Sequence, residues 1–381
     1  MPSERWRVPR IRHRENNQAL KPSLLQAFET MLERDGWRED PFSRQAEQQL
    51  ADFIGLPYAS TVQSGSAALR LALSACGLSP GAEVITVANS DISTTASISQ
   101  CGGTVVFCDI EAGDYTLAVD KVEALINERT AAILPVDLYG HPADVRKLKR
   151  IAERYDLFIV EDAALAMGSR AYGRHVGQYA DAVIFSVAPT KNISALGQGG
   201  VVATHRSEVY ERVEVLKGYG RQLSEAATVP LRSTFVAEGY NLRMHTIDAA
   251  ALTVKMPHAV SRCDRRRGIG RTYAKMLENV EGITLPCFRK DSEPVFRSYG
   301  VRAPKRDEVV KQLRAAGVEA TLNYVPAMHK QPVYASLRHE VLPNTDAVCD
   351  QIICLPVFPE MTDEEIQFVC DRLIAAVESV L

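Results

Sequence analysis

The stretch from residue 157 to residue 200, LFIVEDAALAMGSRAYGRHVGQYADAVIFSVAPTKNISALGQGG, constrains the fold of this chain more than any other. It holds two short apolar runs, 157–160 and 182–185, each flanked by helix or turn signals and short enough to be a buried strand. The first delivers Asp162 at its carboxyl end. The second delivers Ser186, then Pro189, Thr190 and Lys191. Ligands of open α/β sheets bind at the carboxyl ends of the strands. An acid and a lysine are therefore expected at one edge, from separate strands, followed by Gly197, Gly199 and Gly200.

That combination is what a pyridoxal phosphate site requires. The lysine amine joins the cofactor aldehyde, and the acid pairs with the pyridinium nitrogen and keeps the ring an electron sink. A second feature agrees with it. Residues 59–62 read as a strand, Ser64, Gly65 and Ser66 as a turn, and 67–75 as a helix of good formers. Such a turn aims free backbone N–H groups and a positive helix end at one spot, an anion site suited to the cofactor phosphate. Ser-Gly-Ser by itself is more simply a helix N-cap. Beside Asp162 and Lys191 the phosphate reading prevails.

The remaining chain extends the same alternation. Strands are expected at 82–88, 104–109, 130–140 and 201–204, and helices at 22–34, 42–54, 92–100, 118–127, 148–155 and 208–217. Gly36-Trp37 breaks the pattern between the first two helices, and Gly55 stops the second. Strands alternating with helices give βαβ units and a mostly parallel sheet. Residues 222–238 lack periodicity and read as a long loop. A helical stretch, interrupted near Pro257, runs from 246 to about 279. The last 100 residues read as a small α/β domain: strands at 299–303, 318–324 and 352–355, a helix at 306–316, and a capping-box start at Thr362-Asp363-Glu364-Glu365. The domain reading is an N-terminal arm at 1–20, a large domain at 21–250 and a small one at 251–381. The arm carries Arg5, Arg7, Arg10, Arg12 and Arg14 and is expected to be solvated; a lid over a phosphate-bearing substrate is the sharper alternative.

Composition narrows the function classes. A net charge of -3 argues against a nucleic-acid footprint over the whole surface. No apolar run approaches the ~20 residues that span a bilayer, and the first residues carry no apolar core of a secretory signal. The eight cysteines are scattered, without Cys-x-x-Cys or a His/Cys ligand spacing, so reduced thiols in a cytoplasm are expected and no metal site.

Seven fragments in order, SGSAALRLAL, PVDLYGHPADV, VEDAALAMGS, SVAPTKN, GQGG, GYNLRM and AGVEATLNYVPAMH with its following LPN and LPVFPEMTDEE, resemble the DegT/StrS family of sugar aminotransferases. The resemblance implies a fold type I architecture, aspartate aminotransferase-like, with a seven-stranded type of sheet between helices. It implies a homodimer with active sites at the interface, and an amino donor, glutamate or glutamine. The implied acceptor is a keto-sugar, usually nucleotide-linked, or a keto-cyclitol of a specialised pathway. By position, Lys191 would be the Schiff-base lysine and proton shuttle, and Asp162 the partner of the pyridine nitrogen. Gly65, Ser66 and Ser186 would cup the phosphate, and Asn241 would reach the phosphate of the neighbouring subunit. His329, Tyr324 and Arg243 would lie near the substrate.

The chain departs from the family at two places. Asp91 falls where an aromatic residue usually stacks on the cofactor ring, and Leu165 where a Gln or His usually meets the ring hydroxyl. Either other groups hold the ring and Asp91 meets an unusual, cationic or amino-bearing substrate, or the cofactor is held weakly. Two alternatives to transamination stay open: a dehydratase or other lyase of a related sugar, and a regulatory homologue without catalysis.

Overall fold

Five-residue apolar strands joined by helices can bury both faces of a sheet only with helices packed on each side. The computed structural model describes residues 6–34, 40–221, 234–337 and 340–381. Seven strands form one sheet: β1 (Tyr58–Val62), β2 (Glu83–Val87), β3 (Thr104–Cys108), β4 (Thr130–Leu134), β5 (Phe158–Asp162), β6 (Ala182–Ser186) and β7 (Gly200–Thr204). Their spatial order is β1-β7-β6-β5-β4-β2-β3. Strands β3, β2, β4, β5 and β6 pair in parallel, and β7 runs antiparallel to both of its neighbours. Every residue of β2, β6 and β7 is buried, as a sheet covered on both faces demands. This is the mostly parallel α/β architecture expected.

Several elements differ from the sequence reading. Strand β4 ends at Leu134 rather than near 140, because Pro135 has no N–H to continue the ladder. The helix expected at 118–127 is a single turn, Val119–Val122, followed by a 3-10 turn, Glu123–Leu125. The first helix, α1 (His13–Leu32), begins nine residues before Pro22, which lies inside it. Its first two turns, HRENNQAL, carry little apolar spacing, so Pro22 looked like a helix start. The break at Gly36-Trp37 and residues 222–233 of the expected loop lie outside the described residues.

The small C-terminal sheet has two antiparallel strands, β8 (Tyr299–Arg302) and β9 (Ile352–Leu355). Residues 318–324 form no strand. Val318 and Thr321 make only isolated bridges, to Val8 and to Cys354. Around Val8 the N-terminal segment is accordingly docked on the C-terminal part of the chain rather than solvated, while residues 1–5, with Arg5, lie outside the described residues. Val8 N donates to Gly317 O at 3.0 Å, Glu319 N donates to Val8 O at 2.9 Å, and the Val8 side chain is fully buried in the C-terminal core. Arg12 pairs with Glu365, and the Arg7 guanidinium lies 3.7 Å from the centre of the Phe368 ring. Alternating arginines hid one buried valine, whose partners are more than 300 residues away in sequence.

Helix α2 (Pro41–Ile54) packs beside β1, and α3 (Gly65–Cys76) follows it directly. The turn between β1 and α3 rests on β7. A Cβ at Gly200 would lie 2.2 Å from Ser64 O and 2.8 Å from Gly65 N, so only glycine lets the two backbones approach this closely. Gly200→Ala is expected to lower stability by roughly 1–3 kcal/mol, read from the denaturant midpoint, because the overlap is with main chain that cannot step aside.

Candidate active site

The carboxyl ends of β5 and β6 are neighbours, with Asp162 opposite Ile184 in parallel register. They open into a cleft with about 740 Å³ of empty space, open solvent included. Asp162, Lys191, Gly65, Ser66, Ser186, Asp91, Leu165 and Tyr324 all line it. The structure thus brings together eight of the eleven residues singled out in the sequence, contributed by five separate parts of the chain.

Asp162 is 3% exposed. Burial pushes its carboxyl above the usual range, opposed by two hydrogen bonds to its oxygens. Thr94 Oγ1 donates to Oδ2 at 2.7 Å, and Ala164 N donates to Oδ1 at 3.2 Å. Thr94 belongs to α4 (Ile92–Gln100), and with its one hydrogen given to Asp162 its Oγ1 accepts from Ser90 Oγ at 2.7 Å. A cationic N–H brought to this carboxylate would restore the charge balance that burial disturbs.

Lys191 sits in the turn after β6, its N–H donating to Ala188 O at 2.9 Å. The next residue fixes that turn: Asn192 Nδ2 donates to Leu165 O at 3.2 Å, tying the lysine loop to the loop after Asp162. Burial, then the nearby Arg297 guanidinium, lowers the lysine to about 8, while Asp162 and Asp91 hold it up. An amine so placed is partly neutral near physiological pH, the condition for attack on an aldehyde.

At the other end of the cleft, α3 presents its first N–H groups. Ser64 caps the helix, its Oγ accepting from Ala67 N at 3.1 Å, which leaves the N–H groups of Gly65 and Ser66 directed to the cleft. Ser186 faces them, and a Cβ on Gly65 would touch Ser186 Cβ at 3.0 Å. This cradle, the buried acid and the depressed lysine fit a pyridoxal phosphate. Gly65, Ser66 and Ser186 would hold its phosphate, Asp162 its ring nitrogen and Lys191 its aldehyde carbon.

Asp91 has a structural role that the sequence left open. It is the N-cap of α4, with Oδ1 accepting from Ser93 N at 2.9 Å and from Ser93 Oγ at 2.8 Å. It remains half-buried and faces the cleft. Leu165 is 9% exposed and forms an apolar wall of the cleft. Burial pushes the Tyr324 hydroxyl up to about 12, so it stays protonated and able to donate.

Three residues do not reach the cleft of their own chain. Asn241 and Arg243 are exposed, and Arg243 lies across Gly218, where its Nη2 would be 2.8 Å from an added Cβ. His329 sits in the 3-10 turn Met328–Lys330, 7% exposed, with Nε2 3.1 Å from Asp346 Oδ1. Sequence reasoning missed Thr94, Ser90 and Gln198, which also line the cleft. The hydroxyl-rich start of α4, SDISTTAS, was the available signal, since a helix so capped points donors at the same strand ends.

Comparison with known proteins agrees with this geometry. Residues 18–374 match the model of the DegT/DnrJ/EryC1/StrS aminotransferase family. The chain is 33% identical over 370 residues to a pleiotropic regulatory protein of Geobacillus stearothermophilus, covering 96% of this chain and 97% of that one. It is 33% identical over 361 residues to the dTDP-3-amino-3,4,6-trideoxy-alpha-D-glucose transaminase of Streptomyces venezuelae, covering 94% and 93%. The crystal structure of S. venezuelae DesV in complex with a ketimine intermediate superposes with a TM-score of 0.92 at 32% identity, covering 98% of this chain and 99% of that one.

Two outcomes follow from the geometry of the cleft. Thr94→Val keeps the shape and removes the donor to Asp162. Loss of a hydrogen bond to a charged group costs about 1.5–3 kcal/mol, so cofactor affinity, measured by equilibrium titration, should fall about tenfold or more. The rate at which cofactor-free protein captures pyridoxal phosphate should rise with pH through about 8, since the Lys191 amine is neutral above that value. Stopped-flow absorbance reads it, and a rate flat between pH 7 and 9 would contradict the assignment.

Proposed function

Because the chain belongs to the DegT/DnrJ/EryC1/StrS aminotransferase family, we propose that it moves an amino group from glutamate or glutamine to the keto carbon of a sugar or cyclitol in a specialised biosynthetic pathway. The observation that carries the reading is a lysine held near 8 in the same cleft as a buried acid and the first residues of a helix, Gly65 and Ser66. The sugar class is supported by the Streptomyces relative, named for a dTDP-linked amino sugar. A nucleotide-linked acceptor is the form we favour.

Pyridoxal phosphate supplies the electron sink that makes the donor's α-proton labile. The chain supplies the rest. Asp162 would hold the pyridine nitrogen in its protonated form. With the cofactor bound, the Lys191 amine would be the group that holds the aldehyde and, when free, the base that would take the donor's α-proton and return it to the carbon that receives it. In this reading the Tyr324 hydroxyl, which burial keeps protonated, donates to a substrate oxygen; its position in the cleft lining supports that role.

The surface around Asn241 suggests a second copy of the chain. Tyr219, Phe235, Val236, Tyr240 and Ile247 are all large apolar side chains left exposed there. We take this patch as a homodimer interface that carries Asn241 to the partner's phosphate and places Arg243 beside its substrate. His329, held by Asp346, is a supporting residue of the substrate side in this reading. A cytoplasmic location is supported by eight cysteines without a disulfide. Among the described residues no helix is long and apolar enough to cross a membrane.

The test is the absorbance of the loaded protein before and after L-glutamate or L-glutamine, without acceptor. The expected result is conversion of the lysine-linked, yellow form to the colourless amine form. Lys191→Ala should lose the yellow form altogether and slow turnover by several orders of magnitude, since one group serves both attachment and proton transfer. A yellow protein inert to every amino donor, with a sugar product lighter by one water, would establish the lyase. A chain unable to take up cofactor would favour a regulatory role, as the name of the Geobacillus relative does.

A further inference from the structure

Strand β5 carries two acids side by side, and because side chains alternate along a strand, the neighbour of Asp162 turns away from the cleft. That neighbour, Glu161, meets a second acid, Asp137, and both are buried, at most 2% exposed. Glu161 Oε2 accepts from Gly177 N at 2.7 Å. Asp137 Oδ1 accepts from Ala143 N at 2.8 Å, just ahead of the helix Val145–Tyr155. Asp137 Oδ2 meets no donor, while the two carboxyl groups are hydrogen-bonded to each other. An ionised carboxylate only accepts, so two carboxyl groups bond only when one of them carries a proton. Burial, then the charge of Glu161, holds Asp137 well above the usual carboxylate range, and burial pushes Glu161 up to about 7. Asp162 adds a further negative charge at Asp137. On the adjoining segments, burial lowers His141 and His175 to about 4, which leaves both neutral at physiological pH. Asp144 is paired with Lys147, and Asp181 with Arg206.

The segment that bears Asp137 also holds the main chain of Asp162. Strand β4 ends at Leu134, and beyond it Asp162 N donates to Pro135 O at 2.9 Å and Asp137 N donates to Asp162 O at 3.0 Å. Asp137 thus binds Asp162 through its main chain and Glu161 through its side chain. We propose that Asp137 and Glu161 are positioning residues that share one proton behind the cleft, and that this proton keeps the end of β5, and with it Asp162, in place against the cofactor ring. The inference deepens the cofactor reading of Asp162 and rests on it. Without the proton, two like charges would sit in contact in the core and force the segment after β4 away from β5. With it, the pair holds a single charge, met by Gly177 N, Ala143 N and the shared hydrogen. Both groups hold protons more tightly in the fold than in the unfolded chain. The stability they lend is therefore full at low pH and is lost as pH rises from 4.5, the ordinary glutamate value, through about 7 and beyond.

The test uses the full chain as wild type, Asp137→Asn and Asp137→Leu. Asparagine keeps a donor for Glu161 and an acceptor for Ala143 N but does not titrate, and leucine keeps neither. Infrared absorption of cofactor-free protein at about pH 8, where ordinary carboxyl groups are ionised, should show a protonated carboxyl that Asp137→Asn lacks. Denaturant midpoints taken at rising pH should fall more steeply in wild type than in Asp137→Asn. Pyridoxal phosphate labelled with nitrogen-15 in its ring then reads the acid itself by magnetic resonance. The ring nitrogen should be protonated in wild type and in Asp137→Asn. Asp137→Leu should bind the cofactor at least about tenfold more weakly and lose protonation of the ring. If Asp137→Leu does not fold, alkaline wild type takes its place, and its cofactor affinity should fall relative to that of Asp137→Asn as pH rises. Absence of the carboxyl band, or parallel stability curves for wild type and Asp137→Asn, would overturn the shared proton. An Asp137→Leu protein that is less stable, yet holds the cofactor and its ring proton as wild type does, would overturn the positioning role. A wild type that shows the carboxyl band but takes up no pyridoxal phosphate would sink the cofactor reading, and the positioning role with it.

Discussion

The parallel pairing of β5 with β6 is the constraint on which the rest of this structure depends. It places the ends of two strands side by side, so Asp162 and the turn bearing Lys191 emerge on one edge of the sheet. The antiparallel β7 then brings Gly200 against the turn between β1 and α3, and the helix N-terminus comes to the same edge. A shift of one residue in either register would turn every side chain of the strand to the opposite face. It would separate the acid from the lysine and lift the phosphate cradle away from both.

Burial sets the chemistry of the groups gathered there. It moves Asp162 up and Lys191 down, each toward its neutral form, and their mutual attraction opposes both shifts. Thr94 and Ala164 stabilise the charged acid with hydrogen bonds, whereas Arg297 adds repulsion at the lysine. The result is an acid suited to a cationic partner and an amine suited to an electrophile. One sheet edge holds both because their environments differ in donors and in neighbouring charge.

The two departures from the family pattern acquire different meanings in three dimensions. Asp91 is committed to capping α4 through Ser93, and its place at the cleft follows from the helix that it caps. The aromatic surface expected at that position has no counterpart in Asp91, while Tyr324 lines the same cleft from a distant loop. Leu165 forms an apolar partition between the cleft and the cavity of Arg10 and Arg297. Two arginines, Arg10 and Arg297, lie one side chain beyond this apolar wall.

The sequence by itself determined the alternation of strands and helices, the carboxyl-end placement of Asp162 and Lys191, and the Ser-Gly-Ser turn, because these are local. Each is set by apolar periodicity, by turn chemistry, or by a residue's distance from the end of its own strand. The capping box of Thr362 and Glu365 was legible for the same reason and is present. Only the tertiary structure decided which groups meet across the chain. Val8 docks on Gly317 and Glu319, Thr94 reaches Asp162, and Arg10 shares a cavity with Arg297, the direct bonds among these joining residues far apart in sequence. No pattern in a single chain encodes such pairings, since they follow from the order of strands in the sheet and the packing of two cores. His329 turned toward Asp346, and Asn241 and Arg243 faced outward, for the same reason: position in sequence fixes the element, while packing fixes what its side chains touch.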